Sequence, residues 1–549
     1  MWVTHRVENQ PEPLEDFDAF AAHRPLREAL AALAPGLDRS AEEALSRLGR
    51  TVGSAQMIEH ARLANTHRPV LLTHDRYGRR IDRVEFHPSY HILLGQAIEA
   101  GLATRPWFDP RPHAHLRRAA AFMLASELDP SVLCPVSMSY AVVPALAGNA
   151  ALEAALRPTL ARGEYDPSLR PLSEKRGLTF GMGMTEKQGG SDVRANTTRA
   201  ELDGEDAWGE RHRLTGHKWF FSAPMSDAFL VLAQRPEGLT CFFLPRILPD
   251  GSANTLLIQR LKDKLGNHAN ASAEVEFADT FAWRVGEAGR GVQQILRMGV
   301  LTRLDCAAGT AGLMHAALSL AIDHARQRFA FGRRLVEQEL MQQVLADLAL
   351  ESEAATVLVL RLASALDRGT DAHEAAVARL LTPLAKFWIC KRGALFAQEA
   401  MECLGGNGYV EEGGRGVMAR IYREMPLNSI WEGAGNLMAL DLLRALRQTE
   451  ARSVLDREFE AARGAHPALD RAREALPAWL DELAEEAQAR RLALRLTLLW
   501  QAALLVRFAP AWVAEAFCAT RLAEGAPPVF GVLPRGVNRA ALIERSRPR

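Results

Sequence analysis

The spacing of apolar residues divides the chain into a helical part, a strand-rich part and a second helical part. Between residues 26 and 160 apolar side chains recur every three or four positions, for example in 41–63 and 90–102, which predicts amphipathic helices. Residues 1–30 are polar and interrupted by prolines, so we expect an irregular arm there. Helical spacing returns at about residue 289 and continues to the end of the chain.

The middle of the chain has a different pattern. Short β-branched and aromatic runs, such as 213–222, 229–234 and 240–245, are separated by Gly, Pro, Asn and Asp, which predicts strands. The fold class is therefore α+β with several domains. We predict an arm (1–30), a helical domain (31–177), a β domain (178–288), a helical bundle (289–445) and a helical C-terminal region (446–549).

Composition narrows the class of protein. A chain of 549 residues is too long for a single core, and 48% hydrophobic residues with zero formal net charge are ordinary for a globular protein. Any affinity for nucleic acid must then come from a local charge asymmetry. Six scattered cysteines without a CxxC pair fit a reducing, cytoplasmic location. No apolar run reaches the roughly 18 residues of a membrane span; the longest is 496–506.

Two segments of the β part have the composition of a ligand-binding surface. Residues 181–193 combine glycines, which permit close backbone approach, with the hydroxyls of Thr185 and Ser191. Residues 219–222 offer aromatic surface and a hydroxyl, which suit a heteroaromatic ring. A glycine-rich turn and a strand buried by its own aromatic residues are the structural alternatives. Neither GxGxxG after a first strand nor GxxxxGK[ST] occurs, so no Rossmann or P-loop site is predicted.

Polar residues in the helical parts are ambiguous by themselves. Arg328 follows a helical run, where a basic residue also favours the helix dipole. Gly405 and Gly406 follow a long helix and could form its C-cap. The histidines near residues 87–115 have no acidic partners in a ligand pattern, so no metal site is predicted.

The segment 428–436 places Glu432 beside Trp431 and ahead of an apolar helical run at 437–446. One interpretation is an acid at a helix start, favoured by the backbone dipole. The other is a general base in a dry pocket, with its pKa raised by apolar neighbours. The segment alone leaves both interpretations open.

In their order and separation these motifs resemble the acyl-CoA dehydrogenase family, and within it the AidB-like branch of the DNA alkylation response. The stretches that carry the resemblance are 181–193, 217–222, 260–267 and 422–433. The resemblance implies an N-terminal helical domain, a central β-barrel-like domain, a C-terminal four-helix bundle and a C-terminal extension. It also implies a homotetramer with FAD bound between domains and neighbouring subunits.

The resemblance assigns roles to individual residues. Glu432 matches the catalytic base of a large subset of the family. The segment 181–193 would border the flavin ring and its pyrophosphate, and the segment 219–222 would pack on the isoalloxazine. Residues of the second helical part would contact FAD within and across subunits. The implied FAD-binding residues are Met182, Met184, Thr185, Gly190, Ser191, Phe220, Phe221, Ser222, Arg328, Phe331, Gly405, Gly406, Ile430, Trp431, Gly433 and Asn436.

The implied reaction is an α,β-dehydrogenation of an acyl thioester. A carboxylate removes a proton from the α-carbon and flavin N5 accepts a hydride from the β-carbon. Two residues depart from the family pattern. Trp431 is bulkier than the tyrosine common at that place and would narrow the substrate cavity, and Glu402 replaces a neutral amide.

The C-terminal region has an uneven charge distribution. Acidic residues are frequent between 447 and 486, whereas ten arginines and only three glutamates occur from 490 onwards. A solvated helix face with a basic tail is one interpretation. The other, which the resemblance favours, is a surface that binds double-stranded DNA without strong sequence preference. Its candidate residues are Arg490, Arg491, Arg495, Arg507 and Arg521.

Three functions remain open at this point. The first is an FAD-containing protein of the DNA alkylation response that binds DNA and retains weak, isovaleryl-CoA-type dehydrogenase activity. The second is a metabolic short-chain or branched-chain acyl-CoA dehydrogenase with no DNA role. The third is a DNA-protecting protein in which the flavin is purely structural.

Overall fold

The computed structural model of the chain describes residues 4–482, 485–523, 525 and 527–548. The N-terminal part is helical, as predicted, but the boundaries differ in two places. The predicted helix 41–63 is two helices that break at Gly53, and a two-stranded antiparallel hairpin occurs within the predicted helical domain. The elements are α1 (Ala19–Ala22), α2 (Arg24–Leu33), α3 (Arg39–Val52), α4 (Ala55–Thr66), β1 (Val70–His74), β2 (Arg80–Glu85), α5 (Pro88–Glu99), α6 (Ala114–Leu128), α7 (Leu133–Leu146) and α8 (Ala150–Arg162).

The predicted β domain contains a seven-stranded sheet. Its strands are β3 (Phe180–Gly183), β4 (Arg199–Asp206), β5 (Gly209–Ser222), β6 (Ala228–Arg235), β7 (Gly238–Pro245), β8 (Leu256–Leu261) and β9 (Ser272–Val285). The hydrogen-bonded order is β3-β6-β4-β5-β9-β7, with β8 beside β9. Because β6 also pairs with β7, the sheet closes into a ring, which agrees with a barrel-like domain. The five strands of the ring are β6, β4, β5, β9 and β7.

The second helical part begins with a single long helix. The sequence predicts two helices, 291–302 and 306–326, but α9 runs unbroken over Gly291–Gln327. The following elements are β10 (Phe329–Ala330), β11 (Arg333–Arg334), α10 (Glu339–Asp367), α11 (Ala372–Cys403), α12 (Gly406–Tyr409), α13 (Val417–Glu424) and α14 (Gly435–Leu446). The C-terminal region adds α15 (Ala451–Glu460), α16 (Pro467–Glu474), α17 (Leu476–Glu482), α18 (Ala489–Phe508), α19 (Ala511–Phe517), a π-helical turn (Cys518–Ala523) and α20 (Arg539–Arg545).

The elements group into two compact units. The bundle unit comprises residues 1–58, 115–128 and 306–549, and the barrel unit comprises 59–114 and 129–305. The five predicted segments stay a prediction as domains, because the grouping follows packing and not chain order.

The bundle unit is built around α10, which is buried on every face between residues 345 and 365. It packs against α2, α11, α18 and α20, so the C-terminal region is part of the same core. Elsewhere in the unit α9 lies close to α6, because a Cβ at Gly312 would stand 2.2 Å from the carbonyl oxygen of Met123. Only glycine fits at that crossing.

The core of the barrel unit consists of inward-facing residues of the sheet. Strands β6 and β7 are apolar on both faces and fully or largely buried, as expected for strands covered on both sides. Phe221, Phe229, Phe242 and Phe277 are central to this cluster.

One helix tests the prediction about the membrane. Contrary to the sequence prediction, α9 is long and apolar enough to cross a membrane by length and composition. However, 94% of its apolar window is buried inside the protein, which is the environment of a core helix. All six cysteines are unpaired and buried.

Candidate active site

In the barrel unit, the glycine-containing loop and the aromatic strand that the sequence singles out lie side by side. The backbone N–H of Trp219 on β5 donates to the carbonyl of Thr185 in the loop after β3 (2.8 Å). Lys187 N donates to His217 Nε2 (3.0 Å), and Asn196 Nδ2 donates to the carbonyl of Met184 (2.9 Å). The two sequence motifs therefore form one surface.

A buried ion pair holds this loop. Lys218 Nζ lies 2.6 Å from Glu186 Oε1, and both side chains are fully buried. Burial lowers the pKa of Lys218 to about 8, against the opposing effect of Glu186. Burial would raise the pKa of Glu186, but Lys218 and hydrogen bonds from Thr197 and Thr198 lower it to about 2. The sequence analysis did not identify this pair. The available indication was one charged residue in each of the two motifs, Glu186 in 181–193 and Lys218 in 217–222.

The surface that this loop and strand expose is aromatic and cationic. Phe220 is 49% exposed on the face of β5. Lys262 Nζ lies 3.2 Å from the ring centroid of Trp219 and 4.7 Å from that of Phe220. Thr185 and Ser222 are partly exposed at its edge, and Ser191 is exposed. A flat ring flanked by hydroxyls and a cation suits a planar heteroaromatic group that carries phosphate.

Two of the predicted flavin contacts point elsewhere. Phe221 is fully buried and packs on Phe229, with ring centroids 4.4 Å apart, so its side chain belongs to the sheet core. Alternation along a strand places neighbours on opposite faces, which explains why Phe220 is exposed and Phe221 is not. Met182 is also buried, and only its backbone could face a ligand. Gly190 packs against Thr185, since a Cβ there would lie 2.4 Å from the Thr185 hydroxyl.

In the bundle unit, Glu432 lies on a tight turn at a loop-to-helix junction, as predicted. The 3-10 turn Met425–Ser429 precedes it and α14 follows. Glu432 has a φ of 59° and Gly433 a φ of 104°, so two consecutive residues have left-handed backbone. A non-glycine residue adopts this conformation only where its surroundings enforce it.

Trp431 and Lys386 fix this turn. The indole Nε1 of Trp431 donates to Asn428 Oδ1 (3.0 Å), and Asn428 Nδ2 donates to Thr310 Oγ1 (3.0 Å). Lys386 Nζ donates to the carbonyls of Asn428 (3.0 Å) and Gly433 (2.8 Å). The lysine was not identified from the sequence, although it is a charged residue in an otherwise apolar run.

The remaining predicted flavin contacts of the bundle unit are exposed or bound by the N-terminal arm. The guanidinium of Arg328 donates to the carbonyl of Asn9, whose side-chain amide pairs with the backbone of Phe329 (2.7 and 2.9 Å). The other members of the set are exposed: Phe331 (96%), Gly405, Gly406, Ile430 (63%) and Asn436.

The predicted DNA-contacting arginines separate into two groups. Arg490 and Arg491 are exposed and Arg495 is partly exposed, all on the first two turns of α18. Arg507 is placed 3.4 Å from Glu458. Arg521 is fully buried, with Nη2 2.5 Å from Asp347 and 2.9 Å from Glu351. Its guanidinium cannot contact a phosphate in this arrangement, so the composition of the region was misleading at this position.

A buried histidine cluster in the bundle unit was not anticipated. His23, Glu127 and His315 place their polar atoms within 4.8 Å of one another. His315 Nδ1 lies 2.9 Å from Glu127, and His23 Nδ1 accepts from Leu26 N (3.3 Å) as a helix cap. The two imidazoles stack face to face, with centroids 3.6 Å apart and planes 7° apart. Their in-plane lone pairs run parallel and cannot converge on one ion, so the arrangement favours stacking over metal binding.

Known proteins share this architecture. The adaptive response protein AidB N-terminal domain matches residues 9–167, the acyl-CoA dehydrogenase middle domain matches 181–280, and the acyl-CoA dehydrogenase C-terminal domain matches 289–447. AidB of Escherichia coli (strain K12) is 47% identical over 95% of each chain. Acyl-CoA dehydrogenase family member 11 of Caenorhabditis elegans is 31% identical over 74% of this chain and 67% of its own. The structure of Bd2924 in its apo form superposes with a TM-score of 0.83 at 28% identity, over 91% of this chain and 99% of its own.

The chain belongs to the acyl-CoA dehydrogenase family of FAD-dependent oxidoreductases that act on CH–CH groups. Its N-terminal domain and its identity to AidB of Escherichia coli place it in the AidB-like branch. Its cofactor is therefore FAD, and the aromatic, hydroxyl-bearing surface beside Thr185 fits a flavin nucleotide.

Proposed function

We propose that this protein is an FAD-containing acyl-CoA dehydrogenase-like protein of the DNA alkylation response. It binds double-stranded DNA without strong sequence preference and retains weak activity on isovaleryl-CoA-type substrates. The observation that carries the enzymatic part is the enforced left-handed turn that presents Glu432. Its location is the cytoplasm, in keeping with six unpaired, buried thiols.

Each unit would contribute its own residues to the chemistry. Bound FAD supplies the hydride acceptor. Glu432 removes the α-proton of the acyl thioester, and Trp431, held by Asn428, limits the volume beside it. Thr185, Ser191 and Ser222 offer hydroxyls to the flavin and its pyrophosphate, and Phe220 offers a flat apolar face.

The enzymatic part is tested by anaerobic addition of isovaleryl-CoA to the purified holoprotein. Bleaching of the oxidised flavin is the expected result, and Glu432→Gln should abolish it while retaining FAD. If Glu432→Gln bleaches as fast as the parent protein, Glu432 is not the base.

The DNA-binding part is supported by unpaired positive charge on α18. Among the described residues, no carboxylate oxygen lies within 4.0 Å of a side-chain nitrogen of Arg490, Arg491 or Arg495. The pKa of Arg495 is lowered by burial and by the neighbouring Arg491. These cations also lie at the N-terminal end of a helix, where the dipole disfavours positive charge. Bound phosphate groups would offset both the repulsion between these arginines and their unfavourable interaction with the helix dipole.

Gel mobility with duplex DNA over a series of salt concentrations separates this proposal from the metabolic alternative. The triple change of Arg490, Arg491 and Arg495 to glutamine should weaken DNA binding. It should also reduce the slope of log affinity against log salt concentration by about 0.9 for each phosphate contact that is lost. A matched control changes Arg452 and Arg463 to glutamine, because both are paired with carboxylates nearby (2.5 and 3.2 Å). No binding by the parent protein would favour a metabolic dehydrogenase with no DNA role.

We further propose a homotetramer. The bundle unit exposes large apolar side chains that a soluble monomer would bury, namely Phe331 (96%), Leu340 (82%), Tyr409 (79%) and Ile430 (63%). Two of these, Phe331 and Tyr409, lie in or beside the contacts that the resemblance assigns to the FAD of a neighbouring subunit, namely Arg328, Phe331 and the loop 405–408. Sedimentation equilibrium of the holoprotein tests the proposal, and a monomer with FAD bound would contradict it.

A further inference from the structure

A buried lysine lies beneath the turn that carries Glu432. Lys386, on α11, is 2% exposed. Both of its hydrogen bonds go to backbone carbonyls, those of Asn428 and Gly433. Among the described residues no carboxylate lies within 4.0 Å of its nitrogen. A buried ammonium without an acidic partner is costly, so its retention here calls for a compensating role.

The two carbonyls that Lys386 binds lie on either side of Glu432. Asn428 lies in the 3-10 turn Met425–Ser429 that precedes Glu432, and Gly433 follows Glu432 directly. One ammonium therefore fixes both ends of the segment that contains the left-handed Glu432. Without that link, the preference of a non-glycine residue for right-handed backbone would favour a different path for the turn.

The helix that carries Lys386 is itself held against the turn. Gly393 lies two helical turns further along the same face of α11, and a Cβ there would stand 2.5 Å from Thr310 Cγ2 and 2.9 Å from Met425 Sδ. Thr310 also receives the side-chain hydrogen bond of Asn428. The close contacts of Gly393 with Thr310 and Met425 thus fix the position of the Lys386 ammonium relative to the turn.

We infer that Lys386 is a positioning residue for proton abstraction, which holds the Glu432 turn in its reactive conformation. This inference rests on the proposed role of Glu432 as the base. Lys386 does not touch substrate in this assignment; it acts through its hydrogen bonds to the backbone of the turn. Its loss should slow the chemical step far more than it weakens the binding of acyl-CoA or FAD.

The test compares Lys386→Met and Lys386→Arg with the parent holoprotein. Arg379→Met is the matched control, because Arg379 lies on the same helix and binds Asp441 of α14 (2.7 Å) but neither carbonyl of the turn. Single-turnover reduction of the flavin by isovaleryl-CoA should be about 100-fold slower in Lys386→Met, as expected for a small misplacement of a reacting group. Lys386→Arg should recover at least a tenth of the rate, and Arg379→Met should stay within twofold of the parent.

A further measurement distinguishes positioning from a general loss of structure. Amide hydrogen exchange in residues 428–436 should rise about tenfold in Lys386→Met and not in Arg379→Met, in the presence or absence of substrate. If Lys386→Met does not fold, Lys386→Gln is judged by the same criteria.

The inference is overturned if Lys386→Met reduces its flavin at the parent rate, or if exchange in the turn is unchanged. It is also overturned if loss of FAD accounts for the whole rate loss. The proposed function fails separately, if Glu432→Gln is as active as the parent.

Discussion

Lys218 and Glu186 form an ion pair at 2.6 Å with both side chains fully buried, and this pair joins β5 to the loop that follows β3. Lys218 Nζ also donates to the carbonyl of Leu232 (2.8 Å), so the ammonium links three segments of the barrel unit. The loop whose Thr185 and Ser191 are proposed to meet the flavin is thus tied to the sheet by charge. Its conformation depends on two residues that do not face the ligand.

Breaking this pair should destabilise the barrel unit and weaken FAD binding together. Lys218→Met leaves the Glu186 carboxylate buried and unpaired, which costs on the order of 3–5 kcal/mol. The double change Lys218→Met with Glu186→Leu should be less damaging than Lys218→Met alone, because no charge is then left buried. Thermal unfolding of the apoprotein and FAD content of the purified protein measure the two effects. Arg83→Gln is the control, since Arg83 and Glu85 are exposed and 4.0 Å apart. A double variant as damaged as the single variant would contradict this account.

The barrel unit should lose stability in acid through Glu210. The hydrogen bond from Arg284, opposed by partial burial and assisted by Arg235, lowers the pKa of Glu210 from 4.5 to about 2. A carboxyl group with a depressed folded-state pKa contributes stability above pH 4.5, and this contribution is lost as the pH falls from 4.5 towards 2. Because the group is partly exposed, we expect at most about 1 kcal/mol from it.

Unfolding temperatures of Glu210→Gln and the parent protein between pH 7 and pH 3 check this prediction. The variant should be less stable than the parent at pH 7, and the difference should shrink as the pH falls below about 4. Glu201→Gln, at an exposed position of β4, serves as the control. A difference that is constant over the pH range would exclude the proposed linkage.

The architecture could be predicted from periodicity because helices and strands bury faces with different spacing. The change at about residue 178 marks the sheet, and the barrel closure is consistent with the resemblance. The hairpin of β1 and β2 was missed, since its strands are short and partly exposed and carry no strong alternation. The single helix α9 was divided in two because Thr302, Arg303 and Asp305 interrupt the apolar spacing, and tertiary packing overrides this interruption.

The site was harder to predict than the fold, because side-chain direction and partners are decided by packing. The motif residues were identified from chemistry, yet Phe221 and Arg521 turn into the interior, and composition cannot reveal a buried partner. Lys386 was missed because a charged residue within an apolar run does not reveal its partner. The pair of Glu186 and Lys218 was missed because neither motif shows that its charged residue meets the other. Their roles depend on contacts between segments far apart in the chain.

Trp431 should limit the substrates that the site accepts. Its indole is fixed by the hydrogen bond to Asn428, so the ring cannot move aside without loss of that bond. Trp431→Tyr removes the bond and volume, and we expect kcat/KM for longer acyl-CoA thioesters to rise about tenfold relative to isovaleryl-CoA. Steady-state assays with acyl chains of increasing length measure this ratio. Trp479→Tyr in the C-terminal region is the control, and an unchanged ratio in Trp431→Tyr would show that the indole does not line the substrate cavity.

Arginines of the C-terminal region should divide into stabilising and DNA-contacting residues. Arg521 is buried against Asp347 and Glu351 of α10, whereas Arg491 is exposed on α18. Arg521→Gln removes the guanidinium that binds two buried carboxylates, although Glu351 keeps Arg392 at 3.6 Å and Asp347 keeps the N–H of Gly531 at 2.9 Å. The loss should cost about 3–5 kcal/mol, seen as a lower unfolding temperature. Arg491→Gln should leave the unfolding temperature unchanged and reduce the slope of log affinity for duplex DNA against log salt by about 0.9. At a temperature where both variants are folded, Arg521→Gln should retain the parent slope, because its guanidinium contributes no counterion release. An equal reduction of the slope in both variants would mean that Arg521 leaves its carboxylates to bind DNA, and the region would then have to open on binding.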